Sequence, residues 1–305
     1  MSQEGGCVSR VLEFNNVVRS YVRDVPVLNG VTFSVAEGEV VGLLGRNGAG
    51  KTTLIYVAMG LLYPQAGSVR VFGLSPREDA VAIKKRIGYV AEDQVLPIGS
   101  TIAELIAFHR YLFARWDEAL ERQILDRFRL DKRDKIRKLS KGQSRAVALL
   151  LAICHSPELL LLDEPAAGLD PAARRDFLEV AIQFLNRAGA TILYSSHYMN
   201  DIERLGSRAV LLDEGKVYLD SSVDRLREEY CLALVPMEAV PNADSLKRIP
   251  GCLRARSYHG NWHMVLEGAP ETVKPSLEQS LGTDGIRCER LTLEELFIEL
   301  MGDRQ

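Results

Sequence analysis

The sequence has no apolar run long enough to cross a membrane. Its richest stretch, residues 146–154, is cut short by His155-Ser156-Pro157-Glu158, whereas a spanning helix needs about 20 predominantly apolar residues. The opening residues, MSQEGGCVSR, lack the basic start and apolar run of a secretory leader. The five cysteines (Cys7, Cys154, Cys231, Cys252, Cys288) are scattered and form no C-x-x-C pair, which argues against a zinc site or a disulfide framework. The expectation is a reducing cytosol with free, mostly packed thiols. An excess of one charge is also missing. Lys plus Arg is 38 against 41 Asp plus Glu, a net charge of −3, so nothing draws the whole chain to nucleic acid. Gly at 24 and Pro at 12 of 305 residues leave no collagen-like or low-complexity segment, and no internal repeat is visible.

What is present is ordinary core material. Apolar residues make up 47% and charged residues 26% of the chain, enough to fold. The length predicts one large domain plus a smaller one. Short apolar runs alternate with helical patterns. Residues 39–44 read as a buried strand followed by a helix over 51–62. Residues 159–162 read as another strand, with a helix over 171–187 whose apolar positions recur every three or four residues. Asp170-Pro171 fits an N-cap with proline in the first turn, and Gly189 fits a stop. Residues 191–194 form the next strand. This alternation implies a mainly parallel sheet covered by helices, an α/β fold.

Two segments differ. Residues 95–150 show no strand pattern and read as a helical insertion. Helices run through 101–130 with a break at Trp116-Asp117, and Thr101 with Glu104 forms a capping box. Residues 231–305 read as strand–helix–strand–strand–helix–strand plus a final helix, a small split βαβ domain. Thr292 and Glu295 make a second capping box there.

Gly45-Arg46-Asn47-Gly48-Ala49-Gly50-Lys51-Thr52, followed by Thr53, matches G-x-x-x-x-G-K-[ST] between a predicted strand and a predicted helix. Glycines let backbone N–H groups curl around phosphate oxygens, and the helix N-terminus adds its positive dipole end. Lys51 would reach the outer phosphates of a nucleotide and Thr52 would ligate Mg²⁺. The strand 159–162 ends in Asp163-Glu164. In such a sheet this puts Asp163 where it can hold Mg²⁺ and Glu164 where it can act as base toward water. An acidic turn after a core strand is the plainer alternative.

These motifs, with Leu139-Ser140-Lys141-Gly142-Gln143, Ala167-Gly168-Leu169-Asp170 and Ser196-His197, resemble those of the ATP-binding-cassette (ABC) ATPases over roughly residues 8–229. The resemblance implies a P-loop NTPase cassette, a mixed sheet core with a helical subdomain, over residues 1–230, and a small α+β domain over 231–305. It implies ATP and Mg²⁺, with Lys51, Glu164 and His197 as the catalytic set and Thr52, Asp163 and Glu92 as metal ligands. It also implies contacts from Tyr21 to adenine, and from Ser140, Gly142, Gln143 and Asp170 to the nucleotide bound by another subunit. Plainer roles stand beside these: Ser140 and Asp170 as N-caps, Tyr21 and His197 as packing residues. Two departures stand out. Glu92, with Gln94 two further on, occupies the place where the family usually has glutamine, and a carboxylate cannot donate a hydrogen bond at neutral pH. Lys141 replaces a usual glycine.

The resemblance is strongest to ATPases of ABC-2-type exporters, including the bacitracin-transport-like group. It implies a homodimer or heterodimer of ATPase subunits and separate transmembrane permease subunits, on the cytoplasmic face of the cell membrane. The helical insertion and the Glu92 loop would contact the permease. An alternative is a soluble ABC ATPase acting on ribosomes or DNA. The single cassette, the short interval of residues 52–139 between Lys51 and Ser140, and the net charge all count against it. A regulatory cassette is a third, opposed by Glu164 and His197. The basic run over 129–145 reads as a solvated helix end rather than a nucleic-acid site.

Overall fold

The computed structural model describes residues 9–301 apart from 24, 94, 198, 206, 241, 242 and 247, and also leaves out the side chains of 185–188, 200, 205, 243 and 244. Cys7, Gln94 and part of the helix read over 243–249 therefore lie outside the described residues. The chain separates into two compact units, Met1–His197 with Arg204–Leu219, and Tyr198–Glu203 with Asp220–Gln305.

The first unit opens with two long antiparallel strands, β1 (Arg10–Val22) and β2 (Val25–Ala36). The strand β3 (Val40–Gly45) leads through the glycine-rich loop into α1 (Lys51–Ala58). This helix ends four residues before the sequence pattern suggests, because Gly60 adopts φ +66° and terminates it as a left-handed residue does. β4 (Ala66–Val71) joins β1, giving a three-stranded sheet in the order β2-β1-β4. The helix α2 (Ala80–Lys84) and strand β5 (Ile87–Val90) follow.

The insertion is helical: α3 (Ile102–Leu112), α4 (Glu118–Arg127) and α5 (Lys141–Ile153). The break between α3 and α4 already begins at Phe113, which is extended (φ −114°, ψ 136°). Asp117 starts α4 by accepting from Leu120 N–H at 2.8 Å. Then come in turn β6 (Leu159–Asp163), α6 (Pro171–Ala188), β7 (Thr191–Ser196), α7 (Met199–Leu205), β8 (Arg208–Asp213) and β9 (Lys216–Ser222), of which α7 falls mostly in the second unit. The main sheet has the order β5-β6-β7-β3-β8-β9, and the pairs β5/β6, β6/β7, β7/β3 and β3/β8 are all parallel.

A parallel sheet buried on both faces needs unbroken apolar strands, and Leu159-Leu160-Leu161-Leu162 supplies one, each fully buried. Leu159 and Leu161 join Val41, Leu43, Leu193, Val210 and Leu212 on the face that packs against α1 and the β1/β2/β4 sheet. Leu160, Leu162, Ile192 and Tyr194 point the other way and are buried too. Each such leucine stabilises the fold by about 1.5–3 kcal/mol relative to exposure.

The second unit holds α8 (Val223–Glu228), β10 (Tyr230–Pro236), α9 (Ala243–Leu246), β11 (Cys252–Tyr258), β12 (Asn261–Glu267), α10 (Pro270–Leu281), β13 (Arg287–Arg290) and α11 (Leu293–Met301). Its sheet order is β11-β12-β10-β13, every neighbouring pair antiparallel, the arrangement of a split βαβ unit. One face buries Ala233, Val235, Trp262 and Met264 in a cluster with Leu277 of α10. On α11, Glu299 is almost fully buried, and it accepts from Arg256 Nε on β11 at 2.7 Å and lies 3.2 Å from His263 Nδ1 on β12.

Candidate nucleotide site

The carboxyl ends of β3 and β6 lie in one sheet with β7 between them, and this register brings the phosphate loop to Asp163-Glu164. A cleft of about 520 Å³ there is lined by Tyr21, Arg46, Asn47, Gly48, Gly50, Lys51, Thr52, Thr53, Glu92 and Glu164. Gly45 and Ala49 are buried behind it. Gly50 has φ +104°, and a Cβ on it would come 2.6 Å from Leu28 Cδ2 and 2.9 Å from the Val27 carbonyl oxygen. Only glycine lets the loop turn into α1 at this distance from β2.

Lys51 is 6% exposed. Its ammonium donates to the Gly45 carbonyl at 2.7 Å and the Arg46 carbonyl at 3.3 Å, and it lies 3.3 Å from Glu164 Oε1. Glu164 Oε2 is 2.7 Å from His197 Nδ1, so a carboxylate here accepts from the imidazole N–H. Glu164 Oε1 is buried and has no hydrogen-bond partner among the described residues. A buried acceptor left unsatisfied beside a phosphate loop suits a water. Glu164 also has φ +43°, a left-handed conformation uncommon for a residue with a side chain and characteristic of functional sites.

Ser195 is a residue that sequence reasoning missed. Paired in register with Asp163, it donates from Oγ to Asp163 Oδ1 at 2.7 Å and accepts from Glu164 N–H at 2.9 Å. The only sequence signal is a serine two residues before His197 that follows the run Ile192-Leu193-Tyr194. Asp163 is buried, and desolvation raises its pKa, with Glu164 adding to the effect. Hydrogen bonds from Ser195 and Thr52, and the charge of Lys51, act against it. Glu92 is exposed, yet its carboxyl also titrates above the ordinary range. Partial desolvation is the main cause, followed by Glu164, Asp163 and Asp93, with Lys51 opposing. Tyr21, at the end of β1, is 57% exposed and held by its hydroxyl, 3.2 Å from Thr53 Oγ1.

Ser140, Gly142, Gln143 and Asp170 are not in this cleft. They line a separate groove of about 330 Å³ together with Lys141, Gly168 and Ala173. Ser140 and Gln143 form a capping box at the start of α5. Asp170 Oδ1 accepts from Ala172 and Ala173 N–H at 3.0 and 3.1 Å, capping α6. Both capping roles are therefore real, and the two capped segments line the same groove. Gly168 has φ +67°, and Lys141 Nζ stands 2.4 Å from where its Cβ would be, so the Lys141 departure fits against a glycine.

The basic run over 129–145 is exposed at Arg129, Lys132, Arg133, Lys135, Arg137, Lys138 and Lys141, as a solvated surface requires, and is buried only at Arg145. Lys132 pairs with the buried Glu121, Arg133 pairs with Asp131 at 2.7 Å, and Arg145 is buried. Glu121 also accepts from Arg110 at 2.8 Å and from Trp116 Nε1 at 2.6 Å, which fixes α3, the break and α4 together.

The family model described as ABC transporter matches residues 28–167. The Nod factor export ATP-binding protein I of Burkholderia lata is 31% identical over 95% of this chain and 97% of its own length. The daunorubicin resistance ATP-binding protein DrrA3 of Streptomyces coeruleorubidus is 30% identical over 92% of each chain. A solved structure of the ATP binding subunit of an ABC transporter superposes with a TM-score of 0.64 at 30% identity, over 71% of this chain and 92% of that one. Kinship reaches well beyond the phosphate loop into the last third of the sequence: the chain belongs to the ATP-binding subunits of ABC transporters, which are ATPases.

Proposed function

We propose that the chain energises export of a substrate through separate membrane-embedded subunits, as one of two ATPase copies, identical or related, arranged head to tail at the cytoplasmic face of the membrane. The observation that carries this reading is the division of the site. Lys51, Thr52 and Glu164 line one cleft, with His197 hydrogen-bonded to Glu164 at 2.7 Å, whereas Ser140, Gly142 and Asp170 line a groove that shares no lining residue with it. A single chain thus holds two half-sites, and a second copy turned by a twofold rotation would complete both. The names of the relatives, one an export and one a resistance protein, support the direction. Among the described residues no helix is long and apolar enough to cross a membrane, which fits a division of labour with permease chains. Apolar side chains exposed on and before α3, Val95, Ile98, Phe108, Tyr111 and Leu112, suit a permease contact. The four-stranded sheet begins at Tyr230, which supports an ATPase domain over 1–230 and a second domain over 231–305.

In this reading Lys51 exchanges the loop carbonyls for the outer phosphates of ATP, while loop N–H groups cradle the same oxygens. Glu164 Oε1 receives the attacking water, and His197 holds Oε2 so that the carboxylate keeps its orientation. Tyr21 offers a ring face to adenine. The oxygen donors Thr52 and Asp163, with Glu92 at hand, suit Mg²⁺, which takes one or two protein ligands beside phosphates and water. When bound, the ion neutralises charge on the transferring phosphoryl group.

Mixing two inactive copies tests the shared site. Lys51→Ala removes one half-site and Ser140→Arg the other. Each alone is expected to hydrolyse almost no ATP, and the mixture is expected to recover a substantial fraction of activity, because mixed dimers contain one intact pair of halves. Full activity of Ser140→Arg by itself would end the proposal.

A further inference from the structure

Arg145 is 6% exposed, on the second turn of α5 and two residues beyond Gln143 of the capping box. Its guanidinium donates to the backbone carbonyl of Ala91, the residue that precedes Glu92. Burial lowers its pKa, while the charges of Asp93 and Glu92 work in the opposite direction. Burying a guanidinium costs several kcal/mol unless it is well partnered. A core position on an otherwise apolar helix face would be filled more cheaply by leucine or methionine. The loop it grips has no ladder of its own, since residues 91–93 belong to neither strand nor helix. The first turn of the same helix carries Ser140 and Gly142.

We infer that Arg145 is a positioning residue that sets Glu92 in the nucleotide cleft by holding the Ala91 carbonyl, and thereby ties the place of Glu92 to the orientation of α5. A tilt of this helix, which bears the half-site offered to a second copy, is passed through one guanidinium to the Glu92 loop. The inference rests on the reading of Glu92 as a residue of the nucleotide cleft.

The test is a cycle of Arg145→Met, Glu92→Ala and the double variant in the purified full chain, read as kcat and KM for ATP with Mg²⁺. Arg145→Met is expected to lower kcat about tenfold or more with KM within about twofold, because the phosphate loop is untouched. Arg145→Lys, which keeps a donor, is expected to restore much of the loss. The double variant is expected to be no worse than Glu92→Ala, as for two residues acting through one. Wild-type kcat in Arg145→Met, or losses that multiply in the double variant, would overturn the inference. A fall of kcat, KM quality and melting midpoint together, without rescue by lysine, would reduce Arg145 to a packing residue. If Glu92→Ala is itself neutral, the reading of Glu92 falls and the inference with it. If Glu92→Ala is impaired and Arg145→Met is not, the inference falls alone. Should Arg145→Met fail to fold, Arg145→Gln takes its place in the same cycle with the same outcomes.

Discussion

Ser195 donates from Oγ to Asp163 Oδ1 at 2.7 Å, and the same oxygen accepts from the N–H of Glu164 at 2.9 Å. One hydroxyl on β7 therefore holds both carboxylates that end β6, one by its side chain and the other by its backbone. It also accounts for how Glu164 keeps a left-handed φ of +43°, since the N–H is anchored from the neighbouring strand. Ser195→Ala leaves the buried Glu164 N–H without its partner and removes one of the hydrogen bonds to the buried Asp163, the first loss worth about 1–3 kcal/mol. The expected result is a loss of about 2 kcal/mol in urea unfolding, with a lower kcat for ATP. Stability and kcat both equal to wild type would refute this role.

Glu164 Oε1 waits as an unsatisfied acceptor next to Lys51. Glu164→Gln keeps the shape and removes the base. Phosphate release is expected to fall about 10²- to 10⁴-fold, while ATP binding persists and size-exclusion chromatography with ATP shows a trapped dimer. Undiminished turnover would remove Glu164 from the role of base.

Tyr21 presents an exposed ring whose hydroxyl is steadied by Thr53. Tyr21→Leu is expected to weaken ATP binding by about 1 kcal/mol, roughly fivefold in Kd, the lower end of base stacking on an aromatic. Tyr21→Phe keeps the ring and should bind within about twofold of wild type. Equal affinity of the leucine and phenylalanine variants in a fluorescent-nucleotide titration would argue that the ring never meets the base.

Glu121 makes the helical insertion sensitive to acid. Burial by itself would raise its pKa, but hydrogen bonds from Lys132, Arg110 and Trp116 outweigh that and hold it below the ordinary value of 4.5. The unfolded chain therefore takes up the proton first. Stability from this group is complete above about pH 4.5 and is lost as pH falls through the lower folded value. Glu121→Ala removes the buried carboxylate and leaves Lys132 and Arg110, both partly exposed and Arg110 still paired with Glu118, so it is expected to cost about 1–2 kcal/mol at pH 7. The deficit should shrink in urea melts taken progressively below pH 4.5, and a deficit that does not change with pH would contradict this account.

The phosphate loop was legible because its chemistry is local. Consecutive residues 45–52 set the turn, the cradle and the helix start, and the apolar runs on either side declare strand and helix. Asp163-Glu164 was legible for the same reason, as two carboxylates at the end of four leucines. Caps such as Thr101/Glu104 and Thr292/Glu295 could be read three residues apart. Ser195, Arg145 and the Glu121 cluster could not.

The sequence by itself determined the strand–helix alternation around the nucleotide motif, the motif itself and the kinship it signals, since each depends on residues close together in the chain; the antiparallel sheet β2-β1-β4 and the strands β8 and β9 emerged only in the structure. Only the tertiary structure decided which distant groups share a buried space. Parallel pairing of β6 with β7 sets Ser195 beside Asp163 across 32 positions, and packing of α5 against β5 brings Arg145 to Ala91 across 54. In a buried space every polar group must find a partner, and that partner is chosen by sheet register and helix packing rather than by the neighbouring letters of the sequence.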